Sequence, residues 1–260
     1  MDARPTAIAT VDAHGQKVQA MFDRIAPGYD RANRWMSLWT DVRWRRRAVD
    51  GLVPDDSGPS PRVLDLCAGT MDSSMEIHER FPTATVIAGD FAAQMLEHGR
   101  HKLVGAAADK IVPQQMDAHE LPVGDAELDA LFCAFGIRNL SDLPRATAEQ
   151  ARALRPGGRL CVLEFFKPDA AFPKVFHGVM GRTVLPAVGW MATGDLEAYT
   201  YLPGSIGAFR TVEQYGELLR AHGFVDVTVQ PLTMGVAAVV RATRGDDAAD
   251  GVAAGRAEVV

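Results

Sequence analysis

Residues 62–72 read Arg62-Val-Leu-Asp-Leu-Cys-Ala-Gly-Thr-Met-Asp72. The apolar run Arg62 to Cys67 is too short for a helix and reads as a strand covered on both faces of a sheet. A small-residue turn follows, and a helical stretch runs from Asp72 to Arg80. A strand passing through a tight turn into a helix is the opening unit of an α/β fold. In parallel sheets, ligands bind beyond the carboxyl ends of the strands, so this turn is the first place to look for chemistry.

The same alternation continues along the chain. Ala84 to Gly89 reads as a second strand and Ala92 to His101 as a helix. Lys110 to Met116 and Leu128 to Ala134 read as strands three and four. Ser141 to Leu154 is expected as a helix, with Ser141 as its N-cap and Pro156-Gly157-Gly158 as its stop. Arg159 to Phe165 is the fifth strand. Thr211 to His222 reads as a helix, and Val225 to Gln230 and Gly235 to Arg241 as the last strands. Upstream, 16–26 and 29–50 read as two helices broken at Pro27-Gly28. Residues 1–15 and the Ala/Gly/Asp-rich tail 245–260 are expected to be disordered.

Composition narrows the function classes. The 260 residues are 47% hydrophobic and 23% charged, as in ordinary globular proteins, and the net charge is −6. That balance argues against general nucleic-acid binding. Cys67, Cys133 and Cys161 are an odd set in apolar runs, expected as reduced core residues. The most apolar stretch, Val179 to Ala192, is interrupted by Arg182, Pro186 and two glycines. Met1 to Thr10 has no apolar signal core, so a soluble cytoplasmic protein is expected. The scattered histidines offer no metal site.

The turn after strand one has no G-x-G-x-x-G pattern and no lysine for phosphate. It holds one glycine, Gly69, between two acids, Asp65 and Asp72, a setting that suits a cationic cofactor without phosphates. Asp72 reads equally well as a helix cap. Asp90, followed by Phe91, stands at the end of strand two, where an acid can hold both ribose hydroxyls. Asp117-Ala118 follows strand three, placed for an adenine edge. S-adenosylmethionine meets these requirements.

Several segments then match a known pattern: Met21-Phe-Asp-Arg-Ile-Ala-Pro-Gly-Tyr-Asp30, Phe135-Gly-Ile-Arg-Asn139, Leu154-Arg-Pro-Gly-Gly-Arg159, Val162-Leu-Glu-Phe165 and Tyr199-Thr-Tyr-Leu202 with Ser205-Ile206. On these, over roughly residues 16–241, the chain resembles the ubiquinone/menaquinone-biosynthesis C-methyltransferases, the UbiE family. The resemblance implies a Rossmann-like seven-stranded sheet with its last strand antiparallel. It implies S-adenosylmethionine contacted by Thr70, Asp90, Asp117 and Ala118, with a further contact near Ala134. The substrate it implies is a prenylated hydroquinone or hydronaphthoquinone. Three positions depart from the family pattern: Met71 replaces a glycine, Ala134 a serine and Val240 a frequent histidine. A side chain at 71 has to point away from the cofactor.

Methylating an aromatic carbon needs an electron-rich ring, so a hydroxyl with pKa near ~10 must lose its proton. Arg138 is expected beside it, because a cation ~4 Å from a phenolate contributes about 4 kcal/mol at an effective dielectric of ~20. Tyr29 and Asn139 are expected to hold that hydroxyl or a water. A structural ion pair is the competing reading for Arg138.

On this reading residues 16–244 form one methyltransferase domain. Helices 16–50 and the apolar insertion 166–205 cover the substrate, and Trp190, Leu185 and Phe176 are among the insertion's apolar residues. The cluster Arg43-Trp-Arg-Arg-Arg47 is expected to be a solvated helix face with packed stems, and contact with anionic lipid headgroups is the alternative. Peripheral membrane contact at the inner face and a homodimer both stay open. So do two other functions: methylation of another aromatic natural product, and a non-catalytic subunit with the cofactor fold.

Overall fold

The computed structural model describes residues 13–184, 191 and 196–246. The expected disordered stretches 1–12 and 247–260 lie outside these residues, as do Leu185 and Trp190. The N-terminal helices are α1 (Ala13–Ile25), α2 (Tyr29–Ser37) and α3 (Thr40–Val49). The alternating core follows as β1 (Arg62–Leu66), α4 (Asp72–Arg80), β2 (Thr85–Asp90), α5 (Ala93–Gly99), α6 (Ala106–Lys110), β3 (Ile111–Gln115), β4 (Leu128–Ala134), α7 (Leu143–Ala153) and β5 (Leu154–Glu164). Then come α8 (Ala171–Arg182), α9 (Leu196–Ala208), α10 (Val212–Ala221), β6 (Phe224–Leu232) and β7 (Ala237–Arg244).

The strands form one seven-stranded sheet in the order β3-β2-β1-β4-β5-β7-β6. Strands β1 to β5 pair in parallel, and β7 runs antiparallel to both β5 and β6. Apolar clusters cover both faces, which is why β1 and β4 read as nearly continuous apolar runs. Strand order reverses between β1 and β4. The turns leaving these two strands therefore diverge and open a crevice at the sheet's carboxyl edge.

The structure corrects several expected boundaries. α1 begins at Ala13, so residues 13–15 are helical. The helix read over 29–50 is two helices, broken at Leu38 and Trp39, both left-handed (φ 48° and 60°). No glycine or proline signals that break. It lets Arg34 and Ser37 of α2 reach Asp41 at the start of α3. α7 is capped by Asp142, whose carboxylate accepts from the Arg145 amide at 3.0 Å, and not by Ser141. Pro156-Gly157-Gly158 does not stop the helix: α7 ends at Ala153, and those residues bulge from β5, which pairs Leu154 with Leu128 and Arg159 with Ala130. Of the cysteines, Cys133 and Cys161 are core residues, but Cys67 is half-buried just past β1. Among the described residues no helix is long and apolar enough to cross a membrane.

Met71 takes the left-handed conformation that a glycine would take freely (φ 65°), yet it is fully buried. Its side chain runs away from the crevice into the core, and its Cε lies where a Cβ on Gly99 would approach to 2.9 Å. The left-handed backbone costs about 1–2 kcal/mol, and truncating a buried Met costs about 2–5 kcal/mol. Met71→Gly is therefore expected to destabilise the protein by roughly 1–3 kcal/mol, seen as a lower Tm on thermal denaturation. A higher Tm would show that backbone strain outweighs the packing.

Candidate functional site

Two adjoining cavities occupy the crevice. The first, about 110 Å³, lies over the ends of β1, β2 and β4. Its walls include Gly69, Asp90, Phe91, Asp117, Ala118 and Ala134, and Gly15, Val18, Gln19 and Phe22 of α1 close it. Among the described residues no lysine or arginine lines it, while two carboxylates do. The second, about 380 Å³, is mainly apolar and lies between α1–α3 and α8–α9. Phe22, Tyr29 and Phe135 line both, so these three rings form the partition.

The backbone at the crevice is bent sharply. Cys67 (φ 58°), Gly69, Met71 and Phe135 (φ 58°) are all left-handed. A Cβ on Gly136 would strike Cys67, so glycine lets the two turns meet at the cavity floor. Strained non-glycine residues persist only where their surroundings over-determine them.

The four acids that look alike in sequence have four different environments. Asp90 lines the first cavity; its carboxylate accepts from the Gly69 amide (2.8 Å) and the Ala92 amide (2.7 Å). Burial pushes its carboxyl up to about 6, and those amides restrain the rise. Asp117 also lines it. Its Oδ1 accepts from the His119 amide (2.9 Å) and from His119 Nδ1 (2.6 Å). The Asp142 amide donates to His119 Nε2 (3.1 Å), which fixes the proton on Nδ1. Asp65 lies beneath the floor, fully buried, with Oδ2 accepting from Ser74 Oγ (2.5 Å). Burial pushes its carboxyl up to about 7. The expected cofactor contact through Asp65 thus meets a core residue that the cavity does not reach. Asp72 is not a cap. Burial acts to raise its pKa, but Lys102 (2.6 Å), Arg45 (3.9 Å) and Arg34 (2.6 Å) hold it below the usual carboxylate value.

Thr70 is buried and absent from the cavity wall. Its hydroxyl donates to Asp30 of α2 (2.5 Å), and its carbonyl accepts from Lys102 (2.9 Å). Sequence reasoning missed the network to which this bond belongs. Lys102 also pairs with Asp30 (2.7 Å), and Asp41 joins Arg34 and Arg45 (2.8 Å). Lys102 and Arg34 give no sequence signal of this role.

In the second cavity Arg138 pairs through Nη1 with Glu164 (2.7 Å), donates to the Phe135 carbonyl and lies 6.0 Å from the Phe165 ring centre. Glu164 is fully buried, which raises its pKa against the pull of Arg138. Arg138 is thus held in a structural ion pair, the competing reading, and it also lines the second cavity. Glu164 was the missed partner. Its signal was an acid inside an apolar central strand, which demands a buried cation. Tyr29 is half-buried, bonds Asn33, and withdrawal of its hydroxyl from water raises its pKa. Asn139 lines the first cavity, and its Oδ1 accepts from Tyr201 of α9 (3.2 Å). His177, also unforeseen, lines the second cavity and its Nε2 donates to the Val236 carbonyl (3.0 Å), which leaves Nδ1 as its acceptor. Ala134 lines the first cavity, and Val240 is a buried core residue. The cluster 43–47 is divided: Arg45 is buried on Asp41, while Arg43, Arg46 and Arg47 are exposed.

A sequence profile of the ubiE/COQ5 methyltransferase family matches residues 10–244. A demethylmenaquinone methyltransferase of Deinococcus radiodurans is 42% identical over 224 residues, 86% of this chain and 90% of that protein. A ubiquinone/menaquinone biosynthesis C-methyltransferase UbiE of Geotalea daltonii is 37% identical over 227 residues, 86% of this chain and 95% of its own length. The crystal structure of a SAM-dependent methyltransferase from Thermotoga maritima superposes with a TM-score of 0.60 at 17% identity, over 86% of this chain and 99% of that one.

The site carries a pH dependence of its own. The folded protein holds the Asp65 proton more tightly than the unfolded chain does, so this residue favours folding most below about pH 4. That contribution is expected to fall as pH rises, and to be gone above about pH 7. Urea unfolding of the wild type and Asp65→Asn across this range checks it: the difference between them should grow with pH, in favour of Asn. A constant difference would mean that Asp65 stays ionised when folded.

Proposed function

The chain belongs to the ubiE/COQ5 methyltransferase family, and on that premise we propose that it methylates a ring carbon of a prenylated naphthoquinol of the demethylmenaquinol class. The observation that carries this reading is the pair of cavities meeting at Tyr29 and Phe135, one lined by two carboxylates and, among the described residues, by no lysine or arginine, the other mainly apolar. The first fits S-adenosylmethionine, a cation with adenine and ribose but no phosphate. Bound there, it supplies a methyl group on a sulfonium. Gly69, Asp90, Phe91, Asp117, Ala118 and Ala134 would hold it, with Asp90 accepting from the ribose hydroxyls. Asp65 and Thr70 support that wall from behind. Residues 16–244 act as one domain, with 16–50 and 166–205 as its cover.

The quinol ring belongs in the second cavity, against the partition, with its hydroxyl toward Arg138. Glu164 changes the expected electrostatics. At an effective dielectric of ~20, an arginine ~4 Å from the phenolate contributes about 4 kcal/mol, and an ionised glutamate ~6 Å away cancels about 3 of it. The remainder is roughly 1 pKa unit. Arg138 therefore lowers the hydroxyl pKa modestly, and most of the rate comes from holding carbon and methyl in line. Tyr29 sits where it can hold the ring edge, and Asn139, tied to Tyr201, connects α9 to the same wall.

Two measurements test this. An ionised Asp90 accepts from both ribose hydroxyls more strongly than a protonated one, so cofactor affinity measured by calorimetry is expected to fall below about pH 6, by up to tenfold per unit, and Asp90→Asn should remove that dependence. Pairwise removal of charge in Arg138→Met/Glu164→Gln is expected to lower kcat on demethylmenaquinol about tenfold with cofactor affinity unchanged. Glu164→Gln alone should raise the rate on the low-pH limb. Full turnover by the double variant would reduce the pair to a structural role.

A further inference from the structure

The second cavity opens beside two apolar patches that the fold leaves uncovered. At the α2–α3 turn, Trp35, Leu38 and Trp39 are 47%, 77% and 58% exposed, and Leu38 lines the cavity. On α8, Phe172, Val175 and Val179 are exposed and fall on one face by their spacing. Phe172 stacks on Phe176, a cavity residue, with ring centres 6.2 Å apart. Met234 is exposed on the turn before β7, next to Thr233 of the cavity wall. Core packing accounts for none of these side chains. Leu38 and Trp39 even hold left-handed backbone while presenting their side chains to solvent.

Charge at this face runs against the rest of the protein. Residues 31–49 contain six arginines and one acid in a chain of net −6, but Arg34 and Arg45 are neutralised by Asp41 and Asp72 and Arg46 pairs with Glu76, so Arg43 and Arg47 carry the charge that matters here. The acid, Asp41, is buried and paired with Arg34 and Arg45. Arg43 and Arg47 are exposed and stand one and two turns beyond Trp39 on the same side of α3. Residues 170–184, which include α8, contain no acid, and Lys174 is exposed. Tryptophans with arginines around an apolar mouth match the chemistry of a lipid interface.

We propose that this face docks on an anionic phospholipid bilayer. Trp35, Leu38, Trp39 and Phe172 enter the interfacial layer, and Arg43, Arg47 and Lys174 meet headgroup phosphates. The cavity mouth then faces lipid, and a prenyl chain passes from bilayer to cavity without crossing water. The benefit to catalysis rests on the prenylated-substrate reading, but the docking itself is measurable without any substrate.

The test is sedimentation of the full chain with quinone-free vesicles, either of phosphatidylcholine alone or of equal parts phosphatidylcholine and phosphatidylglycerol. The wild type is expected to co-sediment with the anionic vesicles and to be released by salt. Arg43→Glu/Arg47→Glu should weaken binding by roughly fivefold or more for each arginine and abolish the preference for anionic lipid. Trp35→Gln/Trp39→Asn should weaken binding to both compositions, and Asn tolerates the left-handed backbone at 39. Both variants are expected to bind S-adenosylmethionine as the wild type does, which confirms folding. Wild type left in the supernatant, or variants that sediment equally, would overturn the proposal. So would a dimer in analytical ultracentrifugation that the tryptophan variant dissociates, because a second copy would then own the patch. Docking without methylation of a prenylated quinol would sink the functional reading alone, and methylation of detergent-dispersed quinol by a protein that ignores vesicles would sink the docking alone.

Discussion

The cover of this protein is tied to its sheet by one charge network. Asp30, Asp41 and Asp72 face Arg34, Arg45 and Lys102, three carboxylates against three cations, at the junction of α2, α3 and the turn that starts α4. The groups are largely withdrawn from water, where an unpaired charge costs several kcal/mol. The pairing geometry is therefore strongly selected. It fixes where α2 lies, and so where Tyr29, the first residue of that helix, stands between the two cavities. It also holds the Thr70 carbonyl and hydroxyl, and thereby the backbone whose Gly69 amide donates to Asp90. The wall of the first cavity and the cover of the second are two ends of one network.

This arrangement explains how identical residue types came to have unlike roles. Asp65, Asp72, Asp90 and Asp117 all lie near the carboxyl edge of the sheet, where a cationic ligand would want them. Only Asp90 and Asp117 line the cavity. Asp65 is inside the strand and is answered by Ser74, two residues along α4 from Asp72. Asp72 is spent on the cover. The net negative charge of the chain is thus less concentrated at the cofactor end than its sequence suggests, and the carboxylates that remain there are held by backbone amides rather than by cations. Such acids keep accepting capacity for a ligand.

The sheet was readable because its cause is local: apolar runs of strand length separated by turns and amphipathic stretches. The last antiparallel strand came from the family pattern and not from residue periodicity. What was unreadable depended on contacts between distant segments. Nothing in Ser37-Leu-Trp-Thr40 signals a break. The turn there is left-handed because Asp41 needs Arg34, and the chain accepts local strain in exchange. Ser141 and Asp142 are equally good caps by type, and Asp142 caps because helix α7 starts one residue later. Met71 was expected to turn away from the crevice, and the void beside Gly99 is what receives it. Arg138 was legible as a cation near the site, but its field could not be judged without Glu164, which arrives from the neighbouring strand β5.

That last point bears on how catalysis divides between charge and position. A bare arginine in an apolar cavity would be a strong acidifier of a phenol, but also a costly buried charge. Pairing with Glu164 removes most of that cost and most of the field together. A site built this way cannot depend on electrostatics alone for its rate. On the proposed reading it would depend on the partition of Phe22, Tyr29 and Phe135, with Phe165 stacked on Phe135 at 4.8 Å between ring centres, to keep the ring from sliding. The left-handed backbone at Phe135 and the close approach of Gly136 to Cys67 then have a use: they fix the partition against the cavity floor, where a displacement of ~1 Å would misalign carbon and methyl. On the proposed reading, the strain stored in those turns and the weakness of the charge pair belong to the same solution, in which orientation supplies the larger part of the rate.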